Sequence, residues 1–285
     1  MPSGFESSLL PRKIFSVALA MSLAAASGAF AQTKKKSDKD AARGAAEHMK
    51  EELGVNQFTT PSIETVLLAL KELRPIDYEK AARDLRDTVP GDRPRLALSA
   101  GALIADGFLA VSAEKQSKLD DIGRLLVRHA KGLGVSDHVT RHSKSILEKG
   151  AAKDWQGIRA ELVSTQRDVE KAMMALKDEE IAHLVALGGW VRGLHISSTL
   201  VADQYTPERA AILVQPTVIN YFIERVSTLN PSLKKANVFV LLEKNLAEIR
   251  NITVKEKAAM PTAADLKVVS ELSGAIIAAF GEVAE

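Results

Sequence analysis

No cysteine occurs among the 285 residues. That excludes disulfides, thiolate metal sites and covalently attached c-type haem. An exported chain without disulfides depends on its core alone. Aromatic residues are scarce, at 5% of the chain. Neither sign of charge dominates: 38 Lys and Arg stand against 36 Asp and Glu. A near-neutral chain gives no electrostatic ground for nucleic-acid binding. Strand signals are missing, because no alternating apolar and polar run is bounded by a turn pair such as Asn-Gly. No repeat with a period of about 33 to 45 residues holds. Walker loops, dinucleotide fingerprints and Gly-x-Ser-x-Gly are absent. Beyond the N-terminus no stretch reads as long and charge-free enough to span a membrane.

What is present begins with a targeting pattern. Arg12 and Lys13 form a basic n-region, Ile14 to Ser27 an apolar h-region, and Ala29-Phe30-Ala31 a small-x-small cleavage site. The apolar run falls short of the roughly 20 residues that a spanning helix needs. Residues 1–31 are therefore expected to be a cleaved signal peptide, with the mature chain starting at Gln32 in the periplasm or outside the cell. Residues 32–57 read as a charged, partly helical linker that carries Lys34, Lys35, Lys36 and Lys39. Residues 58–285 read as a helical domain.

The punctuation of that domain is helical. Thr60-Pro61, Thr206-Pro207 and Asn230-Pro231 each place proline behind a capping residue. Pro75 and Asp77 open a short helix, and Val89-Pro-Gly-Asp-Arg-Pro94 is a turn. Helices are expected from Pro94 to about Glu114, from Lys118 to Leu133 with Gly134 as its stop, and from a Ser136 cap to Gly150. A stripe of Trp155, Ile158, Leu162, Val169, Met173 and Leu176 marks a further helix. Gln215-Pro216 kinks or restarts a helix. The segment opened by Asn230-Pro231 runs on through Val238, Phe239, Leu242 and Ile249. Thr262 and Asp265 form a capping box before a last helix through Phe280. The expected fold is all-α, a bundle or irregular array of about ten helices without a sheet.

Two of these helices stand apart. The stretch from Asp178 to Tyr205, with Asp178 as its expected cap, and the stretch from Pro94 to Glu114 are apolar on all sides, the pattern of buried helices. Gly188, Gly189 and Gly193 each cost roughly 1 kcal/mol against alanine in a helix interior, and glycine at that density points to close backbone approach. Asp106 is the one charge between Arg95 and Glu114, and Arg192 the one between Glu180 and Asp203. A lone buried charge needs a partner, so the two helices are expected to pack together with Asp106 meeting Arg192. Arg192, His195 and Thr199 share one helix face. The candidate binding site is Asp106, Trp190, Arg192, His195 and Tyr205: arginine for an anionic group, aromatic side chains for an apolar wall.

Other spacings carry less. Glu180-x-x-His183 has the helical di-iron spacing but no second copy. His138 and His142 sit at i, i+4, and with Val139, Ile146 and Leu147 as the apolar face both histidines are expected to look outward. Ser232-x-x-Lys235 lacks the companion motifs of penicillin-recognising enzymes. No catalytic residue, metal site or cofactor is assigned. The expected function is a non-catalytic binding or scaffolding role in the periplasm or at the cell surface, with a small molecule or an envelope protein as partner. The alternative is an enzyme or metalloprotein with an inter-helix site around Arg192 and His195.

Overall fold

The computed structural model describes residues 70–255 and 259–281, all within the larger of two units, residues 49–285. The expected signal peptide, the linker and the helix start at Thr60-Pro61 lie outside the described residues. The described residues form an all-α protein of eleven helices with no strand among them. These are α1 (Tyr78–Ala81), α2 (Arg93–Ser112), α3 (Gln116–Leu133), α4 (Ser136–Ala151), α5 (Trp155–Ala175), α6 (Glu179–Asp203), α7 (Pro207–Ala211), α8 (Pro216–Ser227), α9 (Pro231–Lys234), α10 (Asn237–Thr253) and α11 (Ala263–Ala279).

Local chemistry sets most boundaries. Asp92 caps α2 by accepting from the Arg95 amide at 2.9 Å, and Asp154 caps α5 through the Gly157 amide at 2.8 Å. Gly134 closes α3 in the left-handed conformation, at φ 81°. At α11, Thr262 and Asp265 satisfy each other's backbone amides in a full capping box. Pro216 starts a new helix rather than kinking an old one. Three boundary expectations are corrected. Asp178 makes no capping bond; its carboxylate takes Arg93 Nη2 at 2.5 Å instead. Ser136 is the first residue of α4, not its cap. The helix expected after Asn230 ends within one turn at Lys234 and restarts at Asn237.

α6 is the centre. It packs on α2 along one side and on α11 along another, with α1, α5 and α7 also touching it. α3 lies on α2, α4 bridges α3 and α5, and α10 joins α8 to α11. By length and composition α2 and α6 could each cross a membrane, contrary to the expectation from sequence; both are largely buried within the protein itself. Glycine allows their contact. A Cβ at Gly101 would stand 1.9 Å from the Val185 carbonyl oxygen, and one at Gly188 would stand 2.0 Å from that of Leu98. Backbone therefore meets backbone at the crossing. Phe108, Leu98 and Ile104 from α2 and Val185, Val191 and Ile196 from α6 are sealed around it.

Candidate functional site

Asp106 and Arg192 are 4% and 0% exposed, a burial that neither charge tolerates alone. The close approach of α2 and α6 brings them together: Arg192 Nε donates to Asp106 Oδ1 at 2.7 Å. A second cation joins from the segment after α1, where Arg83 Nε donates to Asp106 Oδ2 at 2.9 Å. Burial pushes the Asp106 carboxyl up, and Arg192 and Arg83 together outweigh it, leaving the group below its ordinary pKa. Arg192 directs its other nitrogens to the Ala81 carbonyl oxygen at 2.6 Å and to His195 Nδ1 at 2.9 Å. Its guanidinium is thus engaged within the protein and bolts α6 to both α1 and α2.

This network fixes the state of His195. Arginine only donates, so Nδ1 accepts and the ring proton sits on Nε2. Burial, then the charge of Arg192, lowers the His195 pKa to about 4, and the ring is neutral at neutral pH. Its Nε2 faces α11 at Gly274, where a Cβ would approach to 3.2 Å.

A cleft of about 270 Å³ opens at that point, between α2, α3, α6, α11 and the segment before α2. Arg83 and Arg86 line it from that segment, Ser99 from α2, His129 from α3 and His195 from α6. Ser99 lies on the face of α2 that carries Asp106, seven residues away. A second fixed imidazole faces the same space: His129 Nδ1 bonds the Leu125 carbonyl oxygen at 2.8 Å, and Nε2 stands 3.0 Å from Ser99 Oγ. A larger depression of about 710 Å³ lies among α3, α4 and α5. Its walls are mostly aliphatic, and Arg124 and Arg128 at its mouth pair with Asp121 and Asp87. Asp120 on its wall keeps one buried carboxylate oxygen without a hydrogen-bond partner among the described residues. The smaller cleft is the better candidate, because its polar groups are held in defined orientations by neighbours.

The structure gathers Asp106, Arg192 and His195 from the predicted site and leaves the two aromatics elsewhere. Trp190 is buried, donates Nε1–H to Gln215 Oε1 at 3.0 Å and packs on Phe222. Tyr205 donates to the Pro261 carbonyl oxygen at 3.0 Å. Neither lines the cleft. Thr199 bonds Ser270 of α11 at 2.7 Å. His138 is exposed, but His142 is buried, 5% exposed, which corrects the outward reading. The reason is acidic: Glu161 and Asp168 of α5 reach His142 Nδ1 and Nε2 at 2.6 and 3.0 Å. Leu147, assigned to the apolar face, is 51% exposed instead. Glu180 accepts from the Asn230 amide at 3.2 Å, and His183 Nδ1 bonds the Tyr221 hydroxyl at 2.9 Å. Ser232 donates to Asn230 at 2.9 Å, as first-turn chemistry requires. Arg83, Ser99 and His129 escaped the sequence reading. Arg83 lies among ordinary surface charges, and Ser99 and His129 are 30 residues apart with no motif to join them.

No protein-family model, no curated protein and no solved structure matches this chain.

Proposed function

We propose that the protein is exported and binds a small molecule in this cleft, as a binding or scaffolding protein of the periplasm or cell surface. Export rests on the pattern from Arg12 to Ala31. The observation that carries the binding reading is the convergence of two imidazoles of opposite fixed tautomer, His129 and His195, with Arg83 and Arg86 on one small cleft. Such preorientation keeps the entropic cost of binding low. Arg192 is a support for this site and not its anion grip, because Asp106, Ala81 and His195 already occupy it.

Native mass spectrometry of the protein from its own host envelope tests the reading. A retained small mass is expected, and it should disappear in Ala278→Trp, which covers the cleft mouth from an exposed position on α11. No retained mass, or one indifferent to that substitution, would contradict it. N-terminal sequencing of the same sample should begin at Gln32. A chain that keeps Ile14 to Ala31 contradicts the export reading.

A further inference from the structure

Ser99, His129 and Leu125 form a chain of contacts from which the binding reading takes only the orientation of His129. The Leu125 carbonyl oxygen only accepts, so His129 Nδ1 carries the ring proton at 2.8 Å from it. Nε2 of the neutral ring is then a bare lone pair, and Ser99 Oγ donates to it at 3.0 Å. A hydroxyl, a base and a third group that orients the base stand in sequence, each within hydrogen-bond reach. That order activates serine on unrelated folds, with the orienting role here taken by a carbonyl oxygen. Burial lowers the His129 pKa; the Leu125 bond opposes this, and Arg128 and Arg83 lower it further. The ring is therefore neutral at neutral pH, and its Nε2 is able to take a proton. Ser99 is only half-buried and lines the cleft.

We propose that Ser99 is a nucleophile toward small carboxylic esters entering the cleft, with His129 as its general base. This rests on the reading that the cleft admits a small molecule and adds a reaction to it. Ser99 Oγ forms a bond to the ester carbonyl carbon while its proton passes to His129 Nε2. The carbon–alkoxide bond breaks, and the alcohol leaves with that proton. Water then attacks the acyl-serine, again through Nε2, releasing the carboxylic acid and restoring the Ser99 hydroxyl. Ester and water become acid and alcohol, with nothing oxidised or reduced. A cleft of about 270 Å³ lies just below the roughly 300–1,000 Å³ of drug-sized ligand sites, and suits a short acyl group.

The test is covalent labelling of the folded full chain with a small alkyl fluorophosphonate, followed by intact mass and peptide mapping. One adduct per chain is expected, on Ser99, and none in Ser99→Ala, which substitutes the best helix former and should fold. His129→Gln should label about a hundredfold more slowly, the low end of general-base effects. Should that variant not fold, the wild-type pH profile replaces it. The labelling rate should fall as acid protonates one group below the ordinary histidine range. Arg128 on the same helix, Arg83, Asp84 and Arg86 before α2, and His195 on α6 are the charged or titratable groups around that ring. No adduct on Ser99 of the folded protein overturns the proposal. So does an adduct whose rate ignores both His129→Gln and pH. A retained ligand lost in Ala278→Trp, beside an unlabelled Ser99, sinks this step and leaves the binding reading standing. Labelling of Ser99 without any retained ligand does the reverse.

Discussion

Arg192 shows how a residue normally found in water is held in a core. Its three partners differ in kind: a carboxylate, a backbone carbonyl and an imidazole lone pair. The arrangement is asymmetric, because Asp106 also has Arg83 whereas Arg192 has no second anion in contact among the described residues. Removing one partner of a buried pair costs about 3–5 kcal/mol. Asp106→Leu should therefore fall at the upper end of that range, and Arg192→Met at or below the lower end, since Arg83 still neutralises Asp106. The double variant should lose less than the sum of the two. Urea denaturation of the three proteins measures this; an Arg192→Met loss as large as that of Asp106→Leu would refute the asymmetry. His195 carries a pH signature. Its folded pKa of about 4 lies below the ordinary 6.5, so the unfolded chain takes up the proton first. The stability given by the neutral ring is complete above pH 6.5 and falls as the pH drops toward 4, by roughly 3 kcal/mol in all. His195→Gln lacks this ionisation, and its stability relative to wild type should rise across that window. A flat difference would place the His195 pKa near its ordinary value.

At the scale of the helix, α2 and α6 are organised by missing side chains. Gly101 and Gly188 meet the opposing backbone, which cannot rotate away. Gly101→Ala or Gly188→Ala should cost about 3 kcal/mol, the upper end of overpacking effects, by separating the helices. Gly123 of α3 has nothing within 4 Å of a new Cβ, and Gly123→Ala should stabilise by up to about 1 kcal/mol. Thermal melts compare the three, and equal melting points for Gly101→Ala and Gly123→Ala would contradict the close crossing. This pair of helices was legible because burial on all sides removes periodicity and leaves single charges conspicuous: Asp106 and Arg192 announced each other. Caps at Thr206, Asn230 and Thr262 were legible for the same local reason, since a capping bond spans only two or three residues. His142 was not. Its helix looks amphipathic, and only the fold reveals that the polar face meets the carboxylates of Glu161 and Asp168 rather than water. Ser99 and His129 were invisible because their contact depends on the register of two packed helices, which no local pattern encodes.

At the scale of the molecule, the buried network and the cleft are one construction. Arg192 joins α1, α2 and α6; through Asp106 it holds Arg83 at the cleft wall, and through Nη1 it holds His195 neutral with Nε2–H toward α11. On the facing side α3 presents His129 with its proton on the other nitrogen. The cleft thus offers a donor and a base from the same residue type, each set by a neighbour that can only donate or only accept. Long-range nitrogen–proton correlation NMR of the imidazole rings tests this claim most directly, because it reads tautomer and charge for each histidine separately. At pH 7 a proton is expected on Nε2 alone for His195 and on Nδ1 alone for His129, with His195 remaining neutral until the pH approaches 4. The same tautomer in both rings, or a His195 that titrates near 6.5, would contradict it.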